Sequence, residues 1–353
     1  MNLSELIKQS RPFVIAGPCS VETEEQTHTI IQALKSEGKT QLIRGGIWKP
    51  RTRPDSFEGI GEQGLPWISE ASKNAGIPFA VEVANAKHVE LALQYGTDVL
   101  WIGARTTVNP FAVQEIADAL KGTRIPVMIK NPINPDVNLW IGAFERLQQA
   151  GISDLTAIHR GFSVYKHDTY RNVPTWEIPI ALKQELADIP LICDPSHIAG
   201  RTDLLLEVSQ KAMDLNYNGL MIETHPTPTL AWSDAKQQIT AEVLTELLNK
   251  LVLRSNVMEQ RSFEDLDNFR KQVHTLDSEL FGILMKRMQI SEEIGRFKKE
   301  HNITILQEEH WKKLLESRLQ MAKTLHLSDD FVRSILDAIH LESITRQISV
   351  MNP

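Results

Sequence analysis

Residues 40–54 read TQLIRGGIWKPRTRP. The first four form a short β-like run. Beyond them Arg44, Lys49, Arg51 and Arg53 stand in a loop broken by Gly45, Gly46, Pro50 and Pro54. Glycine permits close approach of backbone to a ligand, and proline stiffens the loop. Arginine suits bidentate contact with phosphate or carboxylate, and lysine acts as a point charge. Four cations on a stiff loop after a strand point to an anion site. A solvated basic loop is the bland alternative, and the choice turns on whether such strand ends recur.

They do recur. Working outward, strand-like runs fall at Phe13–Ala16, Gln41–Arg44, Phe79–Val83, Val99–Gly103, Val127–Lys130, Leu155–His159, Leu191–Asp194 and Leu220–Glu223. Amphipathic stretches such as Glu24–Glu37, Ala86–Tyr95 and Val113–Leu120 lie between them. Apolar strands alternating with helices mean a parallel sheet. About eight such units in roughly 240 residues predict a closed (β/α)8 TIM barrel. An open doubly wound sheet is the runner-up, but no G-x-G-x-x-G follows the first strand. Barrel sites lie at the C-terminal strand ends. Those ends carry Cys19, then Arg44 with Lys49, Glu82, Arg105, Lys130, His159 with Arg160, Asp194 with His197, and Glu223 with His225. Charged or ligating groups at every end are hard to explain as a solvated rim.

The 353 residues allow one large domain or two. A composition of 42% hydrophobic and 24% charged residues is that of a globular protein. The net charge of −7 argues against a broad nucleic-acid surface. Cys19 and Cys193 make no secreted-type disulfide framework. No apolar run is long enough for a bilayer, and no signal-peptide core is present, so a cytoplasmic protein without membrane partners is expected.

After about Leu253 the texture changes. The barrel is expected to occupy 1–254, a linker 255–264, and an all-α domain 265–353. Phe263, Leu266, Phe269, Val273, Leu276, Leu280, Leu284, Met288 and Phe297 recur largely at three- and four-residue spacing. A helix of roughly 38 residues would be about 57 Å long and needs a partner to cover its apolar stripe. Two further helices are expected near His310–Leu325 and Asp329–Val350, the last capped by Ser328.

Two residue sets separate at the barrel mouth. Arg44, Lys49, Arg105, Lys130 and Arg160 would repel one another unless an anion joins them, which implies a phosphorylated, carboxylated ligand. Cys19, His197, Glu223 and Asp234 offer a thiolate, an imidazole and two carboxylates. That mixture suits a borderline divalent ion such as Mn, Fe, Co or Zn. Cys193, inside an apolar run, reads as a small buried hydrophobe.

The ordered segments AGPCS (16–20), RGGIWKPRT (44–52), IGAR (102–105), IKNP (129–132), HRGF (159–162), DPSH (194–197), ETHP (223–226) and SDAKQQ (233–238) resemble the 3-deoxy-D-arabino-heptulosonate-7-phosphate synthases. The KPRT stretch favours these over the related octulosonate-phosphate synthases. The resemblance implies phosphoenolpyruvate among Arg105, Lys130, Arg160, Arg44 and Lys49. It implies that Arg51 and Thr52 take the phosphate of erythrose 4-phosphate, and that a divalent metal sits on Cys19, His197, Glu223 and Asp234. Lys49, Glu82 and His159 become catalytic candidates, the last two for handling water or its proton by position. Family members often carry an additional regulatory domain. With about a dozen residues before the first strand, none is expected here.

In the C-terminal part, Arg287 and Lys298 are 11 residues apart and return to nearly one helix face. Arg270 points roughly 100° away and is expected to serve a second chain. Ser343 and Gln347 face together at i, i+4. FRKQVHTLDSEL (269–280), KRMQISEEIGRFK (286–298) and ESITRQ (342–347) resemble the small all-helical chorismate mutases, which are intertwined dimers. The resemblance implies a homodimer that rearranges chorismate to prephenate, with Arg270 (from the partner), Arg287, Lys298, Ser343 and Gln347 on the substrate. The family's Asp-x-x-Arg-Glu pattern is replaced by Gln307, His310 and Trp311. A non-catalytic sensing module is therefore the alternative for this domain. A dimerising module fused through a short linker also suggests feedback on the synthase by chorismate or prephenate.

Overall fold

The computed structural model describes residues 1–50, 55–165, 169–254 and 260–352. Eight parallel strands close into a barrel in sequence order. They are β1 (Phe13–Gly17), β2 (Leu42–Gly45), β3 (Phe79–Val83), β4 (Val99–Ile102), β5 (Val127–Lys130), β6 (Leu155–His159), β7 (Leu191–Cys193) and β8 (Gly219–Glu223). Closure comes from β1 pairing with β8 along its whole length, Phe13 opposite Gly219 through Gly17 opposite Glu223. Each of the eight expected strands is present, with ends shifted by one residue at most.

Successive side chains on a strand point to opposite faces, and the two faces make two cores. Inside the barrel pack Phe13, Ile15, Leu42, Ala80, Val99, Trp101, Met128, Ile158, Ile192 and Met221. Between strands and outer helices pack Val14, Ala16, Ile43, Val81, Leu100, Ile129, Ala157, Cys193 and Leu220. The helix Leu3–Gln9 closes the floor. Leu3 and Ile7 are buried in the inner core. The amides of Leu3 and Ser4 donate to Asp154, just before β6, at 2.6 and 3.1 Å. The short segment before β1 had given no sign of this helix.

The inward side also positions the chemistry. Moving two residues toward the C-terminal end turns Leu42 into Arg44, Ala80 into Glu82, Met128 into Lys130, Ile158 into Arg160, Ile192 into Asp194 and Met221 into Glu223. A charged layer therefore lies directly above an apolar one. Trp101 joins the two layers. Its indole N–H donates to Glu82 Oε2 at 2.8 Å, and the Arg44 and Lys130 cations lie 5.3 and 5.8 Å from its ring centroid.

The chain divides into two compact units, Met1–Asn256 and Val257–Pro353. The second contains helices Gln260–Glu300, Glu308–Thr324 and Asp329–Met351. The first of these begins inside the stretch read as linker and runs for 41 residues. Ser328 caps the last, its hydroxyl accepting from the Phe331 amide. No helix among the described residues is long and apolar enough to cross a membrane.

Candidate active sites

The barrel mouth holds a cavity lined by Lys49, Glu82, Arg105, Lys130, Arg160, Arg171, His197 and Asp234, among others. Arg51 and Thr52 lie outside the described residues. Lys49 is held from its backbone, whose N–H donates to Glu58 O at 2.8 Å. The preceding Trp48 stacks on His88, ring centroids 3.9 Å apart. Lys130 pairs with Asp194 at 2.8 Å, and Arg160 donates to Asn172 Oδ1 at 2.8 Å. Burial pulls Arg160 down to about 10, which leaves it a cation at neutral pH. Arg44 is buried outside the cavity lining and pairs with Glu223 at 3.1 Å.

Beside these cations the proposed metal ligands converge. Cys19 Sγ, an oxygen of Glu223 and an oxygen of Asp234 lie within 4.8 Å of one another. Cys19 Sγ is 3.3 Å from Asp234 Oδ2, and His197 Nε2 is 3.6 Å from Glu223 Oε1. His197 comes from the helix Pro195–Ala199, capped by Asp194, which also lies 2.8 Å from His197 Nδ1. Burial first, then Glu223, pushes the Cys19 thiol up to about 12. Burial raises Glu223 as well, but His197, Arg44 and Lys49 hold it below the usual carboxylate range. Glu223 Oε1 is buried without a hydrogen-bond partner among the described residues. A carboxylate oxygen ion-paired only with Arg44 and His197, beside a thiol and a second carboxylate, is a donor set that fits a borderline divalent ion. The Lys49 ammonium contacts Cys19 Sγ and Asp234 Oδ2.

His159 does not join the mouth, which corrects the expectation that it handles water or its proton. It sits on the outward face of β6, fully buried against Trp176 and Tyr217. Nε2 lies 2.6 Å from the Pro174 carbonyl and must donate to it, so Nδ1 accepts from the Tyr217 hydroxyl at 2.9 Å. Burial drives its pKa down to about 3. Its parity with Ala157 and Leu155 was the available signal. Arg171 and Gln237, by contrast, join the site although neither had been singled out.

The helical unit has its own cavity, about 270 Å³, lined by Arg287, Lys298, Ser343, Gln347, Gln307, His310, Trp311 and His340, among others. Arg287 donates to Ser343 Oγ at 2.6 Å, and Lys298 to the Ile305 carbonyl at 2.6 Å. Gln347 is buried, yet its Oε1 has no partner among the described residues. Trp311 stacks on His340 with centroids 3.8 Å apart. The three residues that replace the family pattern therefore face this cavity. Arg270 is exposed and outside its lining.

Fold and site together define a two-part enzyme: a barrel for anionic substrates, followed by a helical domain with a cationic pocket. The chain belongs to the DAHP synthetase I family, which it matches over residues 7–259, and residues 269–348 match chorismate mutase type II. It is 31% identical over 238 residues to a phospho-2-dehydro-3-deoxyheptonate aldolase of Thermotoga maritima, covering 67% of this chain and 68% of the relative. A 2-dehydro-3-deoxyphosphooctonate aldolase of Paraburkholderia xenovorans is 26% identical over 285 residues, 73% of this chain and 95% of the relative. The crystal structure of the Thermotoga maritima DAHP synthase superposes with a TM-score of 0.61 at 30% identity, covering 67% of each chain. The chain thus carries DAHP synthase and chorismate mutase in one polypeptide.

Proposed function

We propose that the barrel condenses phosphoenolpyruvate with erythrose 4-phosphate at a metal held by Cys19, His197, Glu223 and Asp234. The observation that carries this is the convergence of those four groups beside a cavity lined by Lys49, Arg105, Lys130 and Arg160. Lys130, Arg160, Arg105 and Arg44 hold the phosphate and carboxylate of phosphoenolpyruvate, Arg44 being the one also paired with Glu223. Arg51 and Thr52 take the phosphate of the aldose. A divalent ion held by Cys19, His197, Glu223 and Asp234 would supply Lewis acidity for the aldehyde. The enol carbon attacks the aldehyde carbon, whose oxygen takes a proton to become a hydroxyl. Water adds to the oxocarbenium carbon so produced. The C–O bond to phosphate breaks as the new hydroxyl loses its proton, which leaves the ketone and inorganic phosphate. Glu82 has one oxygen fixed by Trp101 and faces the cavity, and it takes the proton of that water. Lys49, which lines the same cavity, adds a further cation for the substrate anions.

In the helical domain Arg287, Lys298, Ser343 and Gln347 hold the folded dicarboxylate, and the cations Arg287 and Lys298 stabilise charge growing on the breaking ether oxygen. Large apolar side chains stand exposed along the long helix, among them Phe269, Leu276, Leu280 and Phe281. This supports a homodimer in which Arg270 reaches the partner's pocket. Prephenate bound there is proposed to lower synthase activity. Two free cysteines suit a cytoplasmic setting.

The test is consumption of phosphoenolpyruvate by the intact chain with erythrose 4-phosphate. Preference for arabinose 5-phosphate would make the barrel an octulosonate-phosphate synthase. Chorismate loss tests the second site. Gln307, His310 and Trp311 in its lining favour a sensing-only alternative, which turnover would refute. Feedback is read as synthase activity with and without prephenate. Arg287→Ala should abolish the inhibition.

A further inference from the structure

Each carboxylate of the metal cluster has one oxygen tied from behind and the other turned inward. Asp234 Oδ2 faces Cys19 Sγ at 3.3 Å and Lys49 Nζ at 3.4 Å. Its Oδ1 instead accepts from Arg171 Nη1 at 3.2 Å. Glu223 Oε1 faces His197 and Arg44, whereas its Oε2 accepts from Gln237 Nε2 at 2.7 Å. The two ties meet in one group, because Arg171 Nη1 also donates to Gln237 Oε1 at 2.6 Å. That nitrogen carries two hydrogens, one for each acceptor.

The surroundings hold Arg171 in register with the ligand-bearing segments. Its amide donates to the Ala199 carbonyl and the Asn172 amide to that of Ile198, at 3.3 and 3.1 Å. Both acceptors belong to the helix that carries His197. Asn172 Nδ2 donates to the His197 carbonyl at 2.6 Å, and Asn172 Oδ1 accepts from Arg160. A Cβ on Gly200 would come within 2.4 Å of Arg171 Cβ, so this approach needs glycine there. Asp234 stands at φ 49°, ψ 35°, the left-handed region. A non-glycine residue persists there when its surroundings over-determine it.

We propose that Arg171 is a positioning residue for the metal site, holding Asp234 directly and Glu223 through Gln237. The proposal rests on the four-ligand reading above. Arg171 also lines the mouth with Lys130 and Arg160, so direct contact with a substrate anion is the competing role.

Titration of the metal-free full-length chain with Co(II) alone separates the two, read by the thiolate-to-cobalt charge-transfer band. The wild type shows the band. Arg171→Ala binds Co(II) about 10–100-fold more weakly, the usual loss when a ligand's outer support is removed. KM for phosphoenolpyruvate at saturating Co(II) is unchanged. Arg171→Lys recovers part of the affinity, and Gln237→Ala weakens Co(II) without altering a side chain that lines the cavity. Equal Co(II) affinity in wild type and Arg171→Ala overturns the proposal, and a raised KM would then make Arg171 a substrate contact. Absence of the band in the wild type overturns the four-ligand reading itself and this proposal with it.

Discussion

His159 and Arg160 are neighbours whose side chains leave β6 on opposite faces. Arg160 reaches the mouth, and His159 is sealed behind the barrel with both ring nitrogens engaged. An unfolded histidine titrates near 6.5, while burial holds His159 at about 3. Between those values the unfolded chain binds a proton that the folded one does not, so stability rises with pH there. The barrel should therefore lose stability as pH falls from about 6.5 toward 3. In His159→Gln, whose amide can still donate and accept, this dependence should flatten. Denaturant midpoints across pH measure it, and an unchanged slope would remove His159 as the cause. Cys19 has a different part. Cys19→Ala should lower synthase turnover by more than about 100-fold, beyond the loss from removing an indirect support. Chorismate turnover should persist. Parallel loss of both activities would mean general damage.

At the scale of elements, the strands were legible because their signal is local. Short apolar runs, several of them preceded by a turn, locate the strands without tertiary information, and along each run the side chains alternate between two faces. The same alternation carried six inward charged positions, from Arg44 to Glu223, and could have excluded His159. Loop partners had no such signal. Arg171 meets Asp234 across 63 residues, and Cys19 N donates to Gln238 Oε1 across 219. Only closure of the barrel brings those segments together. Gly103, just after β4, tests Glu82 from the side. A Cβ there would lie 2.0 Å from Glu82 Oε1, the movable end of a side chain. Gly103→Ala should displace that carboxylate and lower synthase turnover by about 10²–10⁴-fold, the usual contribution of a positioned acid or base. The unfolding free energy should fall by about 1–3 kcal/mol, the usual cost of an extra carbon in a packed site. A large stability loss with full specific activity would separate Glu82 from the chemistry.

At the scale of the molecule, the second unit leaves Leu276 63% exposed on a helix too long for its own small bundle to cover. Leu276→Asp should convert a dimer to a monomer in sedimentation while leaving helicity intact. It should also lower chorismate turnover, because Arg270 would no longer reach a second pocket. A variant that sediments like wild type would put the association elsewhere. The floor of the barrel has a kinetic consequence. With the inner core filled above Leu3 and Ile7, access among the described residues is from the mouth. Lys130 and Arg160 are buried at its inner end, whereas Arg105 is exposed at the threshold. A molecule seated against the inner pair has to arrive before its companion and leave after it. Product-inhibition patterns should accordingly show compulsory order, phosphoenolpyruvate first, and random entry would mean that the innermost seat is reached by another route.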